Sequence, residues 1–347
     1  MTTTNSLTYS PLRDAYPEGA SYSDIGDRQV VAHFSDADAE YEAIASGATI
    51  TDHSHLGRLT QVGSDAIDLL HRVTTANIEA IPVGGSTRTI LASDRGRIVD
   101  VFRVVRTGDE ELLLLGSGLF KSNLIEMIEF YTIIEDSTLT DVSESMLQLA
   151  LAGPEAESLL ASLVPAISEL TAGGITDVDG VRYLRATSDE AEEFHLLMPA
   201  DSGAELWKRL TDAGFTPIGS QAIHRRRIDL GIPCAGDDYS DRTNPLEVGL
   251  MDLIDFDKGC YVGQEVVARL DTYDKVQRTI VKVSSDDALI SGEDVKLGTR
   301  TVGTIGSVIS DADGTTALAL IRNEFADGAT ALATESGTPI VISHRDQ

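Results

Sequence analysis

Alternating apolar and polar residues predict strands in the first half of the chain. Over Ile98 to Arg106 the alternation places Asp100 on the same face as Phe102 and Val104. A shorter apolar run over Leu112 to Leu115 is typical of a buried strand. The pattern therefore predicts a sheet with one carboxylate on an otherwise apolar face.

Helical spacing predicts helices between these strands. Ile67, Leu70 and Val73 recur at steps of three. Ser64 precedes them at the position of a capping residue, because its hydroxyl can accept a hydrogen bond from a free N–H of the first turn. We expect a helix that starts after Ser64 and packs on the sheet.

Residues 145–217 are interpreted as a separate domain. A strand over 146–152 leads into Gly153-Pro154, and proline suits the first turn of the helix that follows. Two more strands and a helix closed by Gly214 come next. This order of strand, helix, strand, strand and helix predicts a ferredoxin-like domain.

The rest of the chain completes an α+β fold. Residues 1–28 are polar and are expected to form an irregular arm. Residues 29–144 together with 218–275 are expected to form one discontinuous domain. From 276 to 347 short runs of Thr, Val and Ile alternate with turns, which predicts a small C-terminal β-barrel.

Composition then narrows the class of protein. The 347 residues carry a formal charge of −29 and a pI of about 4.4, which argues against strong direct binding to nucleic acid phosphates. No apolar run approaches the ~20 residues of a membrane span, and the N-terminus lacks the apolar core of a signal peptide. We expect a cytoplasmic monomer with Cys234 and Cys260 reduced, since their spacing fits neither a disulfide framework nor a zinc site.

The octapeptide Lys258–Glu265, KGCYVGQE, holds the second cysteine between two glycines. The ammonium of Lys258 would favour a reactive thiolate at Cys260. The alternative is a turn at a strand edge with a small, inert cysteine. Chemistry alone leaves both open.

This octapeptide resembles the signature of the YgfZ family of folate-binding proteins, which are relatives of the aminomethyltransferase (T-protein) of the glycine cleavage system. The flanking stretches 244–250 and 266–269 are similar too, whereas the T-protein has K-x-x-F-x-G here, without a cysteine. We call Lys258–Glu265 the signature segment. The resemblance implies three lobes around a central channel that holds tetrahydrofolate or a one-carbon derivative of it, with 29–144 plus 218–275 as the folate-binding domain.

Asp100 is the second candidate for chemistry, because a carboxylate on an apolar strand face must be satisfied by a partner. The stretch 91–100 resembles the T-protein's L-N-x-x-G-G-I-x-D-D, whose aspartate interacts with folate near its reactive nitrogens. Val101 stands where the T-protein motif has its second aspartate. This difference weakens the prediction of full aminomethyltransferase activity. The alternative is a paired, purely structural aspartate.

The remaining binding candidates also follow from the resemblance. Arg227 and Asp229 lie in R-I-D-L-G, similar to the T-protein's R-L-E-A-G, and a carboxylate there would pair with the amino edge of the pterin. Glu247 is a second candidate for that contact, and a solvated or capping acid is the alternative for both. The signature segment adds Lys258, Tyr261, Gly263, Gln264 and Glu265 as cofactor-binding candidates.

Local cations stand out in so acidic a chain. The run His224–Arg227 and five arginines of the first domain could hold folate carboxylates, or could simply pair with nearby acids. His53 and His55 could share a metal, but the sequence offers no third ligand, so we expect none.

Three functions fit these observations. The leading hypothesis is a tetrahydrofolate-binding protein that assists iron–sulfur cluster assembly or repair through Cys260, with assembly proteins as partners. The alternatives are a folate-dependent aminomethyltransferase that uses Asp100, or a regulator of tRNA modification that acts through a partner enzyme. The sequence leaves open whether the chain is an enzyme.

Overall fold

The computed structural model describes residues 7–273, 275–311 and 314–343. They form a three-stranded sheet, a six-stranded sheet, a five-stranded sheet and a closed six-stranded barrel. The strands are β1 (Thr8–Tyr9), β2 (Ser21–Ile25), β3 (Arg28–His33), β4 (Thr49–Asp52), β5 (Gly57–Val62), β6 (Ser86–Ala92), β7 (Ile98–Arg106), β8 (Glu111–Gly116), β9 (Thr138–Asp141), β10 (Met146–Ala152), β11 (Ile175–Val178), β12 (Val181–Arg185), β13 (Phe194–Pro199), β14 (Thr216–Pro217), β15 (Arg278–Ser285), β16 (Asp294–Leu297), β17 (Arg300–Asp311), β18 (Gly314–Arg322), β19 (Leu332–Thr334) and β20 (Pro339–Ser343).

The helices lie between and across these sheets. The α-helices are α1 (Ala37–Ser46), α2 (Ala66–Val73), α3 (Lys121–Tyr131), α4 (Ala156–Leu163), α5 (Gly203–Ala213), α6 (Ser220–Asp229) and α7 (Gln264–Thr272). The predicted α+β class with a C-terminal barrel is confirmed.

The five-stranded sheet has the order β6-β7-β8-β5-β9 and is covered on one face by α2 and α3. The predicted strand over Ile98–Arg106 has the observed bounds of β7. The cap of α2 differs from the prediction. Asp65 is its N-cap residue, and the hydroxyl of Ser64 instead donates to Asp136 at 3.0 Å. Ser64 lies one residue too early to cap the helix.

The six-stranded sheet has the order β11-β12-β13-β10-β4-β14. Its strand β10 and helix α4 lie where the sequence predicted them. Strand β4, however, comes from the segment assigned to the other domain and pairs with β10 on one side and β14 on the other. The predicted division at residue 145 therefore cuts through a continuous sheet.

The prediction for the N-terminal segment is wrong over its described residues. Residues 7–28 are not an irregular arm, because β1 and β2 both pair with β3. The guanidinium of Arg13 stacks over Tyr9 and Tyr22, with 4.1 and 5.3 Å to the ring centroids. Residues 1–6 of the predicted arm lie outside the described part of the chain.

The barrel closes in the order β15-β18-β17-β16-β19-β20. Its interior is filled by small and branched apolar side chains, among them Val283, Val295 and Ile305. Its rim packs against α6, since β17 and α6 are in contact. The barrel thereby becomes one wall of the space between the sheets.

Candidate functional site in a central cavity

A cavity of about 1090 Å³ lies where the sheets and the barrel meet. The turn between β2 and β3, the loop before β13, the cavity-facing side of α6 and the β17 segment 308–310 all contribute to its wall. No single element encloses it, so the space depends on the whole fold. Cavities of this size and position are typical of sites for small organic ligands.

The charge of the cavity wall differs from that of the whole chain. Seven acidic residues line the cavity, and they are almost balanced by six cationic ones. The cations are Arg28, Arg88, Arg103, Lys121, Arg225 and Arg227. Each of these six cations forms an ion pair with an acidic side chain of the protein. The cavity wall is therefore close to neutral, although the chain as a whole carries a charge of −29.

Asp100 lies directly behind the cavity wall and is fully buried. Its carboxylate accepts hydrogen bonds from the backbone N–H of Val101 at 2.9 Å and of Ser117 at 3.2 Å, and both of these residues line the cavity. Burial raises its pKa to about 7. Tyr239 lines the same wall, and burial together with the Asp100 charge raises the pKa of its phenol.

A group of polar side chains, which we call the polar wall, lines the opposite part of the cavity. Glu190 accepts from Arg103 and contacts Nε2 of His195 at 3.2 Å. Gln148 Nε2 lies 3.4 Å from Nδ1 of that histidine. The polar wall consists of His53, Gln148, Glu190, Glu192 and His195.

The polar wall holds more hydrogen-bonding atoms than it pairs. Among the described residues, His53 Nδ1, His55 Nδ1, Gln148 Oε1 and Arg103 Nε are buried without a partner. Burial lowers the pKa of both His53 and His55 to about 3, so both are neutral at neutral pH. Buried polar atoms are normally paired, and the exceptions call for an explanation such as a ligand.

His53 and His55, the two histidines considered as metal ligands, lie close to each other. Their ring centroids are 5.7 Å apart. Within residues 7–273, 275–311 and 314–343, no group of three or more His, Cys, Asp or Glu residues is arranged to hold a metal ion. The same residues contain no helix that is long and apolar enough to cross a membrane.

Arg227 lines the cavity, but its guanidinium is already engaged. It donates to Asp238 at 2.9 Å and to Ser307 of the barrel at 2.6 Å. It therefore joins α6 to the barrel. Cys234 lies beside this network, 3.8 Å from the Ser307 hydroxyl, and burial raises the pKa of its thiol to about 12.

The two carboxylates expected at the pterin edge lie elsewhere. Asp229 is exposed and accepts from the Tyr41 hydroxyl at 2.6 Å. Glu247 is buried, where it forms a capping box with Asn244 and an ion pair with Arg278 at 2.8 Å. Neither belongs to the described residues that line the cavity.

The signature segment is held by the protein itself. The Lys258 ammonium donates to the backbone carbonyls of His71, Thr74 and Ala76 at 2.5–2.8 Å. It thus satisfies carbonyls at the end of α2, where cations are favourable. Burial lowers its pKa to about 8. The expected role of Lys258 in activating Cys260 has no support in this arrangement.

The rest of the segment turns the chain into α7. Gly263 has φ = 83°, and a Cβ at this position would lie 2.4 Å from the Ser93 carbonyl oxygen. Gln264 and Glu265 form the first turn of α7, and Tyr261 is buried with its pKa raised to about 12. Cys260 is exposed. None of these residues is among the described ones that line the cavity.

Sequence reasoning missed most of the polar wall. Glu190 and Glu192 come from the stretch 187–193, whose acids are indistinguishable in sequence from solvated surface charges. Tyr239 was also missed. A partial signal existed at Arg103, since an arginine on a strand face among valines requires a buried partner.

Fold and site together define an α+β protein with a ligand cavity shared by its sheets and barrel. The GCVT N-terminal domain family model matches residues 14–258, and the chain belongs to this family. Among curated relatives, the aminomethyltransferase of Herpetosiphon aurantiacus is 30% identical over 72% of this chain and 70% of its own length. The aminomethyltransferase of Picosynechococcus sp. is 26% identical over 95% of this chain and 94% of its own length. A chloroplastic protein of Arabidopsis thaliana that is named as a putative transferase is 29% identical over 84% of this chain and 68% of its own length.

A solved structure supports the fold. The glycine cleavage system aminomethyltransferase T from Bartonella henselae is similar with a TM-score of 0.88, covers 98% of each chain and is 18% identical. The predicted T-protein-like architecture is confirmed at the level of the fold. The chain belongs to the aminomethyltransferase superfamily, which is the broader part of the expected resemblance.

Proposed function

We propose that this chain binds tetrahydrofolate in the central cavity and is a folate-dependent one-carbon transferase of the aminomethyltransferase type. The observation that carries the proposal is Asp100, a buried carboxyl with a pKa near 7 directly behind the wall of a large cavity. Family membership supports the same conclusion, because the relatives are named aminomethyltransferases. This was our alternative at the level of sequence, and it now replaces the iron–sulfur hypothesis as the leading one.

The residues present fit a reduced folate. The cavity volume accommodates a ligand of this size, and the nearly neutral wall repels the carboxylates of the ligand less than the acidic surface of the chain would. The unpartnered atoms of His53, Gln148 and Arg103 offer further hydrogen bonds to a polar ring. Bound tetrahydrofolate would supply the reduced nitrogens that carry a one-carbon unit.

Asp100 would move a proton at the cavity wall. A general acid or base works best when its pKa is near the working pH, and burial brings Asp100 to about 7. The backbone N–H groups of Val101 and Ser117 hold its two oxygens in place. The phenol of Tyr239 is the neighbouring group of the wall that could orient a ligand beside it.

Two measurements test the proposal. Calorimetry with tetrahydrofolate should give a micromolar dissociation constant, about −8 kcal/mol. Glycine-dependent formation of methylene-tetrahydrofolate, with lipoyl carrier protein added, should fall about 100-fold in Asp100→Asn, with folate affinity largely kept. Asp109→Asn, at an exposed position on the neighbouring loop, is the matched control and should be silent. Absence of folate binding at millimolar concentration would exclude the proposal.

Assistance to iron–sulfur cluster assembly is the second candidate. The observation in its favour is that Cys260 is exposed and therefore accessible to a partner protein. A single cysteine cannot hold a cluster alone, so assembly proteins would share it. Under this second candidate, the chain would belong to the YgfZ branch and would act in the cytoplasm. It would affect tRNA modification only indirectly.

Replacement of the thiol separates the two candidates. Cys260→Ser should leave stability within about 0.5 kcal/mol, because the site is exposed. Under the second candidate it should also lower aconitase activity in a deletion strain under oxidative stress, whereas Cys234→Ser should not. Full iron–sulfur activity with Cys260→Ser would exclude a role for this thiol.

A further inference from the structure

The most exposed large apolar side chains of the described residues lie together at the end of α3. Ile134, Ile133 and Phe130 are 92%, 81% and 70% exposed, and no other large apolar side chain in the described part of the chain exceeds 65%. We call residues 130–134 the apolar tip. Single exposed apolar side chains are normal on a protein surface, but a contiguous group of them is typical of an interaction site.

The backbone of the apolar tip is held by a carboxylate. Oε2 of Glu135 accepts hydrogen bonds from the backbone N–H groups of Ile133 at 2.8 Å and of Ile134 at 3.0 Å. The hydrogen bonds from Ile134 and Ile133 lower the pKa of Glu135 to about 2, so this acid is ionised at neutral pH. Its Oε1 pairs with Arg72 of α2 at 3.1 Å. Because the tip is ordered in advance, docking on it costs little conformational entropy.

Helix α3 supports the aromatic part of the tip. Leu124 and Ile128 of this helix are buried in the core of the five-stranded sheet, and Tyr131 packs against the same core. The ring of Phe130 meets the ring of Tyr131 edge to face, with 5.1 Å between the centroids. Phe130 therefore lies outside the core and rests on a side chain that belongs to it.

The surroundings of the apolar tip are acidic. Residues 122–141 contain five acids and no lysine, arginine or histidine. Glu126 and Glu129 of α3 are exposed, and neither has an ion-pair partner within the described ranges. Arg72 is already paired with two carboxylates. An apolar group bordered by unpaired carboxylates is complementary to an apolar surface bordered by cations.

We propose that the apolar tip docks a partner protein whose contact surface has apolar side chains bordered by lysine and arginine. A second copy of this chain fits poorly, because a two-fold contact would bring Glu126 and Glu129 of both copies together. The chain also has 56 acids against 27 lysines and arginines. An anionic membrane surface would be repelled by the same carboxylates.

The apolar tip lies apart from the cavity of the proposed function. None of residues 130–134 is among the described residues that line the cavity, whereas Lys121 at the other end of α3 is. The rise of an α-helix places Phe130 about 14 Å along α3 from Lys121. A partner on the tip would bind beside the cavity without occupying it, so this inference does not depend on folate binding.

Two designed peptides test the apolar part of the proposal. Each is an amphipathic helix of about 18 residues, with leucine on one face and either lysine or glutamate on the other. In calorimetry the full chain should bind the Leu/Lys peptide and not the Leu/Glu peptide. A double variant with Ile133→Ser and Ile134→Ser should weaken binding of the Leu/Lys peptide about tenfold. Ile290→Ser, at a 64% exposed isoleucine between β15 and β16, is the matched control and should bind like the parent.

A second double variant tests the acidic border and keeps both isoleucines. Glu126→Gln with Glu129→Gln should weaken binding of the Leu/Lys peptide about threefold and reduce its dependence on salt, because salt screens exposed charges. Asp286→Asn with Asp287→Asn removes the same charge at two other exposed positions and is the matched control. Equal losses from the two pairs would show that the peptide follows net charge and not the tip, which would overturn the inference.

Other outcomes would also overturn it. These are no binding of the Leu/Lys peptide at about 1 mM, equal affinity for the two peptides, or equal affinity of the parent and the isoleucine variant. A parent dimer in sedimentation that the isoleucine variant abolishes would assign the tip to a second copy of the chain. Binding to phosphatidylserine vesicles that is lost in this variant would assign it to a membrane. Thermal melting and tetrahydrofolate affinity should match the parent in every variant, so a result at the tip is separate from a result in the cavity.

Discussion

The signature segment and the polar wall differ in how their buried polar groups are paired, although the Tyr261 hydroxyl of the signature segment also lacks a partner among the described residues. In the signature segment the Lys258 ammonium has three carbonyl partners, and Gly263 lets two stretches of backbone touch. In the polar wall, Gln148 and His53 keep buried atoms without partners among the described residues. The Lys258 ammonium of the first region helps to hold the fold, and the unpaired atoms of the second region line the cavity in which we propose that a ligand binds.

The comparison shows that a distinctive motif can owe several of its residues to contacts within the protein. Lysine and glycine in the octapeptide are explained by contacts within the protein. The polar wall has no recognisable motif, yet it contains the unsatisfied groups that a folded protein normally avoids. The predictions below test the two regions in turn.

The largest expected loss of stability comes from replacing Lys258. Lys258→Met should lower the free energy of unfolding by about 4 kcal/mol, because three carbonyls lose a charged donor. Denaturation in urea measures this loss. Lys208→Met, at an exposed i,i+4 pair with Asp212, is the control and should change stability by less than about 1 kcal/mol. An equally small effect at Lys258 would contradict its role in holding the fold.

Asp100 should give the second effect, visible as a dependence on pH. Its pKa is raised by burial from 3.8 to about 7, so the folded state holds the proton more tightly than the unfolded one. Stability from this group is present below about pH 4 and is lost as pH rises to about 7. Asp100→Asn should therefore be more stable than the parent by about 4 kcal/mol at pH 8, and the two should differ little at pH 4.

Denaturation of both proteins at the two pH values measures this difference, and Asp109→Asn again provides the control. A parent protein and an Asp100→Asn variant with parallel pH profiles would show that the carboxyl is ionised in the folded state across this range. The role of Asp100 in moving a proton would then be lost.

The smallest effect compares the two glycines of the signature segment. Gly263→Ala should lower stability by about 2 kcal/mol, because φ is positive and the new Cβ meets the Ser93 carbonyl. Gly259→Ala should be nearly neutral, since a Cβ there meets no described atom within 4 Å. Thermal melting of the two variants measures this difference in stability. Equal losses of stability would mean that the turn at Gly263 can accept a Cβ without strain.

Much of the fold could be predicted from periodicity, because it is set by local patterns of burial. Strands β7 and β10 were predicted with their observed bounds, and the barrel was predicted from its turns. The N-terminal strands were not, since Ser21–Ile25 is polar on both faces and pairs only because β3 is present.

The site was less predictable, because it depends on residues distant in sequence. Asp100 could be singled out from its apolar face alone. Glu190 could not, since its partner Arg103 is 87 positions away. The exposed position of Asp229 could not be predicted, because a motif gives the type of residue and not the face of the helix on which it lies.

Strand β4 has a consequence for how the molecule comes apart. It lies between β10 and β14, whose residues follow it by about a hundred positions or more, so the six-stranded sheet is continuous only through β4. Contacts this remote in sequence close large loops, which slows folding and makes the transition more cooperative. Loss of β4 would therefore separate β14 from the rest of the sheet and would remove Thr51 and Asp52 from the cavity wall.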